Sequence, residues 1–181
     1  MEPYRLWLVR HAKSDWVQGV SDFDRGLNAR GHRDGPFMAR WLARQPHRAE
    51  WIWSSSANRA LTTARYIAHG WSVDESRLII TDALYHASPD AALEVLRETP
   101  EDIRGVAVVF HNPGITDLVN WLAGKPAIDN VPTLGIAEFT ADKPWDECQQ
   151  SNFQLLRIVS PKLLRASTNN QDIEPDIEGE S

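Results

Sequence analysis

The sequence is poor in cysteine and lacks long apolar runs, and both absences limit what the protein can be. Its 181 residues include a single cysteine, Cys148, so no disulfide can form within the chain. Nothing therefore argues for an oxidising compartment. No apolar run approaches the roughly 18 residues of a membrane-spanning helix, and a strand predicted from about Tyr4 leaves no room for a signal peptide. We expect a cytoplasmic protein.

An excess of positive charge is also missing. The formal net charge is -6 at pH 7, which opposes binding to nucleic acid or to an anionic membrane. An anionic substrate would have to be captured by a local cationic pocket. The 42% hydrophobic content and the chain length suit one domain with a sizeable core.

Strand-like and helix-like runs alternate along the chain, a pattern typical of βαβ units in an α/β protein with a mostly parallel sheet. We predict a strand through Leu6–Val9 and further strands at 51–53, 78–80 and 106–110. Helices are predicted over 29–44, 57–69, 89–98 and 115–123. Two further strands are predicted late in the chain, at 135–140 and 153–160. The sequence does not specify whether they run parallel or antiparallel to the others. We expect one domain over residues 1–166 and a disordered acidic tail over 167–181.

Three of the predicted helices begin with a residue suited to capping. Asn28 precedes the first helix, and Ser88 followed by Pro89 precedes the third, as an N-cap and N1 proline would. The run Ser54–Ser56 precedes the second helix, so we predict a serine cap there as well.

Polar side chains with useful chemistry follow three of the predicted strands. Arg10 and His11 end the first strand, Arg59 lies in the first helical turn after the second, and His111 ends the fourth. In a parallel sheet these strand ends meet at one edge, where ligands bind. Guanidinium groups and helix N-termini match phosphoryl oxygens, and a histidine can act as nucleophile. The sequence therefore predicts a phosphoryl-binding site that needs no metal.

The motifs around these residues resemble those of the histidine phosphatase superfamily, also called phosphoglycerate-mutase-like. The resemblance covers about residues 4–163 and is greatest for the SixA-type phosphohistidine phosphatase branch. It implies a three-layer α/β/α fold in which His11 is transiently phosphorylated. It also implies that Arg10, Arg59 and His111 hold the phosphoryl group. Ser14 and the amide of Asn112 are weaker candidates for the same role.

Two departures from the family pattern matter most. Ala12 stands where the superfamily usually has glycine, as is expected in this branch. His86 stands in a stretch where an acidic residue is expected, which leaves the proton donor open. Because a histidine ordinarily titrates near pH 6.5, His86 could donate the proton, or it could only shape the rim.

We therefore predict a metal-independent phosphatase without a cofactor, acting on phosphohistidine of a protein partner. An imidazole leaving group is easier to expel than an alkoxide, which suits a site without a carboxylic acid. The alternative is a phosphatase or phosphomutase for a small phosphoester at the same site. A third class is a non-catalytic phosphoanion-binding module. A metal site built from His11, His86, His111 and Asp15 is also conceivable, but no close-spaced ligand pair supports it.

Overall fold

Alternating apolar strands and amphipathic helices build a sheet covered on both faces. The computed structural model describes residues 2–171, and of these no helix is long and apolar enough to cross a membrane. The strands are β1 Tyr4–Arg10, β2 Trp51–Ser55, β3 Leu78–Thr81, β4 Gly105–Phe110, β5 Ile136–Ala141 and β6 Phe153–Val159. The helices are α1 Ala29–Ala43, α2 Asn58–Trp71, α3 Pro89–Arg97, α4 Gly114–Ala123 and α5 Pro161–Gln171.

The sheet has the order β3-β2-β4-β1-β5-β6. The pairs β1–β4, β2–β3 and β2–β4 are parallel, whereas β5 is antiparallel to both β1 and β6. The predicted mostly parallel α/β sheet is therefore confirmed, and the two late strands extend it in antiparallel pairing. The carboxyl ends of β1, β2 and β4 consequently lie at one edge.

Two apolar clusters cover the two faces of the sheet. Leu6 and Leu8 of β1 point to one cluster, which includes residues of α3 and α4. Trp7 and Val9 point to the other, which includes residues of α1 and α2. Because successive strand side chains point to opposite faces, a strand buried on both sides needs a continuous apolar run. This arrangement is the expected α/β/α fold.

Two of the three predicted caps are present. Asn28 Oδ1 accepts the Gly31 N–H at 2.9 Å, and Ser88 caps α3 ahead of Pro89. The serine cap of α2 was a wrong prediction: its N-cap is Ala57, which has no capping side chain. The hydroxyl of Ser56 donates to Asp82 instead, and that of Ser55 lies in the candidate site.

The last helix passes the expected domain boundary at residue 166. Helix α5 continues to Gln171, so residues 167–171 are helical, contrary to the expected disordered tail. The helix is tied to α1 by Arg165, whose Nη1 donates to the buried carboxylate of Asp34 at 2.7 Å. The rest of the expected tail, residues 172–181, lies outside the described residues.

Candidate active site

His11 follows β1 directly and is 8% exposed. Its Nδ1–H donates to the carbonyl oxygen of Ala12 at 2.8 Å, which leaves the lone pair on Nε2. Burial, helped by the charges of Arg59, Arg10 and Arg25, lowers the pKa of His11 to about 4. The imidazole is therefore neutral near pH 7 and presents an unprotonated nitrogen, the state that a nucleophile requires.

His111 follows β4, and its ring centroid lies 5.2 Å from that of His11. Its Nε2 is 2.7 Å from the hydroxyl oxygen of Ser55, which itself accepts the Ala57 N–H at 3.3 Å. Because the described contacts include no other acceptor for the Ser55 hydroxyl hydrogen, we assign the hydroxyl as the donor to Nε2, which leaves the ring hydrogen on Nδ1. Burial, followed by the charge of His11, lowers the pKa of His111 to about 3. A neutral ring with an Nδ1–H donor results.

Three arginines converge on this edge of the sheet. Arg59 is buried in the first turn of α2, and its Nη1 and Nη2 donate to the carbonyl and the Oδ2 of Asp22 at 2.6 and 3.1 Å. Arg10 Nη1 donates to the carbonyl of Val131 at 2.8 Å. Arg25 Nη2 donates to Asp22 Oδ1 at 3.0 Å. Each guanidinium group is thus anchored through at least one outer nitrogen, and that of Arg59 through both.

The Nε atoms of the same arginines, and Nδ1 of His111, lack hydrogen-bond partners among the described residues. In the part of the chain that the structure describes, the buried side-chain atoms without a hydrogen bond include Nε of three arginines and Nδ1 of one histidine: Arg10, Arg25, Arg59 and His111. Buried donors are rarely left unpaired. A group with several charged oxygens would supply the missing acceptors, and guanidinium groups bind phosphate oxygens strongly.

Thr63 of α2 connects two parts of the site. Its Oγ1 accepts the Ala12 N–H at 2.9 Å and donates to the carbonyl of Arg59 at 2.8 Å. The residue that follows His11 is thereby tied to the helix turn that carries Arg59. The relative position of the two functional side chains is set by this connection.

Residues 6–85 match the model of the histidine phosphatase superfamily (branch 1). Over this segment the chain is similar to the histidine phosphatase superfamily. This similarity supports a hydrolase that acts on a phosphoester or on phosphohistidine. An uncharacterised protein of Mycobacterium leprae is 26% identical to this protein over 166 residues, which cover 85% of this chain and 100% of that one.

Solved structures share the fold over nearly the whole chain. A protein of Agrobacterium tumefaciens assigned as the phosphohistidine phosphatase SixA is 26% identical, with a TM-score of 0.75 and coverage of 89% of this chain and 100% of that one. Its counterpart from Nakamurella multipartitia has 23% identity, a TM-score of 0.78 and coverage of 89% and 98%. Mycobacterial glucosyl-3-phosphoglycerate phosphatase has 16% identity, a TM-score of 0.61 and coverage of 88% and 98%.

The two weaker candidate residues are placed less directly. The Asn112 amide group donates to Asn130 Oδ1 at 2.7 Å and to the Val131 carbonyl at 3.2 Å, and its oxygen accepts from Thr116 at 2.6 Å. Only its backbone N–H remains for a phosphoryl oxygen. Ser14 is buried and pairs with Leu27 through the backbone. That bridge places Ser14 in the loop after β1.

His86 lies at the mouth of the pocket, with a side chain that is 68% exposed. Its φ of 54° is left-handed, a conformation that costs a non-glycine residue on the order of 1 kcal/mol. The ring stacks on Tyr85 with centroids 4.0 Å apart, and Nε2 is 3.9 Å from Asp22 Oδ2. His86 is also one of the charges that lower the pKa of His111.

Sequence reasoning missed Asp22, Arg25 and Tyr85. The Tyr85 hydroxyl donates to Asp22 Oδ2 at 2.7 Å. This bond, with the charges of Arg59 and Arg25, lowers the pKa of Asp22 to about 2. The available signal was an acid and an arginine three residues apart in the loop between β1 and α1, close after the arginine-histidine pair.

The four residues of the conceivable metal site do not form a ligand cluster. Residues 2–171 contain no group of three or more His, Cys, Asp or Glu side chains that could hold a metal ion. Asp15 accepts the N–H of Trp16 in the exposed loop after β1. The positive charge in this site comes from arginines.

Proposed function

We propose that this protein is a histidine phosphatase that hydrolyses phosphohistidine on a protein, with His11 as the residue that is transiently phosphorylated. One observation carries the proposal. The neutral His11, with its free Nε2, lies among three guanidinium groups whose Nε–H donors lack acceptors. Such a set is complementary to the transferring phosphoryl group, whose oxygens carry the negative charge.

In the first step, His11 Nε2 attacks phosphorus in line on a substrate ring that carries a hydrogen on its second nitrogen and is therefore cationic. The new P–N bond forms as the bond to the substrate imidazole breaks, and the electron pair of that bond stays on the leaving nitrogen, so the ring departs as neutral imidazole. Arg10, Arg25 and Arg59 bind the phosphoryl oxygens, and His111 donates from Nδ1. Holding the reacting atoms in line and neutralising the oxygens supplies most of the catalysis that phosphoryl transfer needs.

In the second step, water attacks the phosphorus of phosphorylated His11. The P–N bond breaks, its electron pair returns to Nε2, and inorganic phosphate leaves with neutral His11 restored. The mouth of the pocket is lined by Asp22 and His86, which are 43% and 68% exposed, so water reaches the intermediate. An open mouth favours a phosphatase over a mutase, which must exclude water to retain the phosphoryl group.

The loop between β1 and α1 supports a protein substrate. It exposes four large apolar side chains beside the site: Trp16 at 82%, Val17, Val20 and Phe23. Grouped exposed apolar side chains typically mark contacts with another protein. The Arg25 guanidinium lies 4.0 Å from the ring centroid of Trp16, so this surface is continuous with the pocket. The fold shared with proteins assigned as SixA agrees with the proposal.

The test compares a peptide carrying phosphohistidine with a panel of alkyl and aryl phosphoesters. We expect kcat/KM for the peptide to exceed that for every alkyl ester by at least about 100-fold, because only the ester requires protonation of an alkoxide. Higher turnover of any alkyl ester would overturn the proposal.

A small phosphoester is the second candidate substrate. It is favoured by the exposed His86, which could donate a proton to a leaving oxygen, and by the fold shared with a sugar-phosphoglycerate phosphatase. On this alternative His86→Ala lowers ester hydrolysis much more than phosphohistidine hydrolysis. Equal losses for both substrates would exclude His86 as the acid.

A further inference from the structure

We propose that the Asp22 carboxylate binds the leaving imidazole and thereby selects phosphohistidine over phosphoesters. The inference rests on the proposed function and assigns the recognition of the leaving group to a residue outside the predicted phosphoryl-binding set. It follows from where the carboxylate lies, how many hydrogen bonds it still accepts, and what the leaving group offers.

Asp22 lies at the outer end of the pocket. His11 forms the floor with 8% exposure, whereas the Asp22 side chain is 43% exposed and faces His86. In-line attack places the leaving group on the side of phosphorus opposite the nucleophile. A substrate whose phosphoryl group reaches the floor must therefore direct its leaving group toward the mouth, where Asp22 is anchored.

The carboxylate is held firmly but is not saturated. Arg25 Nη2 donates to Oδ1, and Arg59 Nη2 and Tyr85 donate to Oδ2. An ionised carboxylate offers about four acceptor positions, so one remains on Oδ1. The same bonds keep the pKa of Asp22 low, at about 2, so the group is an anion and an acceptor near pH 7.

A phosphorylated imidazole offers the matching donor. Its second ring nitrogen, the one not bonded to phosphorus, can carry a hydrogen, which makes the ring a cation. The Asp22 carboxylate accepts that N–H and favours the cationic form. When the P–N bond breaks, its electron pair neutralises the ring, and imidazole departs with its single N–H and without a proton from the enzyme.

A phosphoester offers neither feature. Its leaving oxygen has no N–H to donate, and it gains negative charge as the P–O bond breaks. A fixed carboxylate at the mouth repels that charge, and the repulsion is strongest in a partly buried site of low dielectric. The same residue thus assists one substrate class and opposes the other.

The test measures substrate selectivity in Asp22→Asn, which keeps the size and an acceptor oxygen but removes the charge. The substrates are a phosphohistidine peptide and an aryl phosphate, whose phenolate leaves without an acid. We expect the ratio of kcat/KM for peptide over aryl phosphate to fall about 10- to 100-fold, the range for losing a hydrogen bond to a charged group. Asp24→Asn is the matched control, because Asp24 lies in the same loop and its carboxylate accepts only from Ser21 among the described contacts.

Two results would overturn the inference. If Asp22→Asn lowers kcat/KM equally for the peptide and the aryl phosphate, Asp22 only orients Arg59. If neither kcat/KM value changes, Asp22 does not contact the leaving group. Failure of the proposed function gives a different signature, because wild-type enzyme would then hydrolyse the peptide no better than alkyl esters. Thermal unfolding of each variant separates these outcomes from a loss of the folded state.

Discussion

The reactivity assigned to His11 depends on a single backbone acceptor and on burial. The carbonyl of Ala12 holds the ring hydrogen on Nδ1, and burial keeps the ring neutral. Ala12 is itself fixed by Thr63. The nucleophilic nitrogen is therefore oriented by the backbone of Ala12, which depends in turn on the side chain of Thr63.

Replacement of His11 by alanine is expected to abolish turnover and the phosphorylated enzyme intermediate. Trapping with a radiolabelled substrate, followed by acid treatment, measures the acid-labile phosphoenzyme directly. His47→Ala is the control, because His47 is exposed in the loop before β2, near the start of β4 and away from the site. Phosphoenzyme in His11→Ala equal to that of the wild type would refute the assignment.

Arg59→Lys is expected to lower kcat by on the order of 100-fold, typical of removing one transition-state donor. Lysine cannot bind two atoms of Asp22 and still present a fixed donor to the phosphoryl group, as the guanidinium can. Steady-state kinetics with Arg65→Lys as control checks this, since Arg65 lies on the same helix with a side chain that is 56% exposed. Similar kcat values for the two variants would place Arg59 outside the chemistry.

At the scale of elements, the site is assembled where the ends of β1, β2 and β4 meet the first turns of α2 and α4. Close packing maintains this junction. Gly114 begins α4, and a Cβ at that position would lie 2.1 Å from the carbonyl oxygen of Ala87, which belongs to the segment that carries His86. The absence of a side chain at Gly114 lets the two segments approach.

Gly114→Ala is therefore expected to lower the free energy of unfolding by about 1–3 kcal/mol, the usual cost of overpacking a tight contact. It should also reduce activity, because the segment before α3 must shift. Chemical denaturation measures the first effect. Gly26→Ala is the control for stability, since its Cβ would meet only Asn58 at an ordinary 3.4 Å. Equal stability of the two variants would contradict the packing argument.

At the scale of the whole molecule, the two buried histidines link stability to pH. Folding lowers the pKa of His11 to about 4 and that of His111 to about 3, from the ordinary histidine value of 6.5. Below about pH 6.5 the unfolded chain binds protons that the folded protein does not, so acidification favours unfolding. The stabilisation is present above that pH and is lost as pH falls toward the folded pKa values.

We expect the free energy of unfolding to decrease by about 3 kcal/mol between about pH 7.5 and about pH 5.5, because each of the two histidines contributes about 1.4 kcal/mol over this interval. Denaturant titrations across this range provide the measurement. A variant with His11→Asn and His111→Asn should show a much flatter dependence. Stability that is constant or rises on acidification of the wild type would show that the histidines are not buried in the neutral form.

Much of the fold and part of the site could be predicted because the signals are local. The continuous apolar run of β1, the Asn28 cap and the Ser88–Pro89 pair each lie within a few residues. The convergence of Arg10, His11, Arg59 and His111 followed from one rule about parallel strand ends. The Ser54–Ser56 prediction failed because α2 begins at Asn58, with Ala57 at its N-cap, so that no serine of the run occupies the capping position.

The sequence alone determined the α/β alternation, the positions of the strands and of the helices α1 to α4, and which strand ends carry arginine or histidine, because hydrophobic period and capping act over short distances. Only the tertiary structure decided the antiparallel pairing of β5 and β6, the tautomer of His111 and the grouping of Asp22 with Arg59 and Tyr85. Asp22 and Tyr85 are 63 residues apart. Their contact exists because the loop after β1 and the segment before α3 fold over the same edge of the sheet.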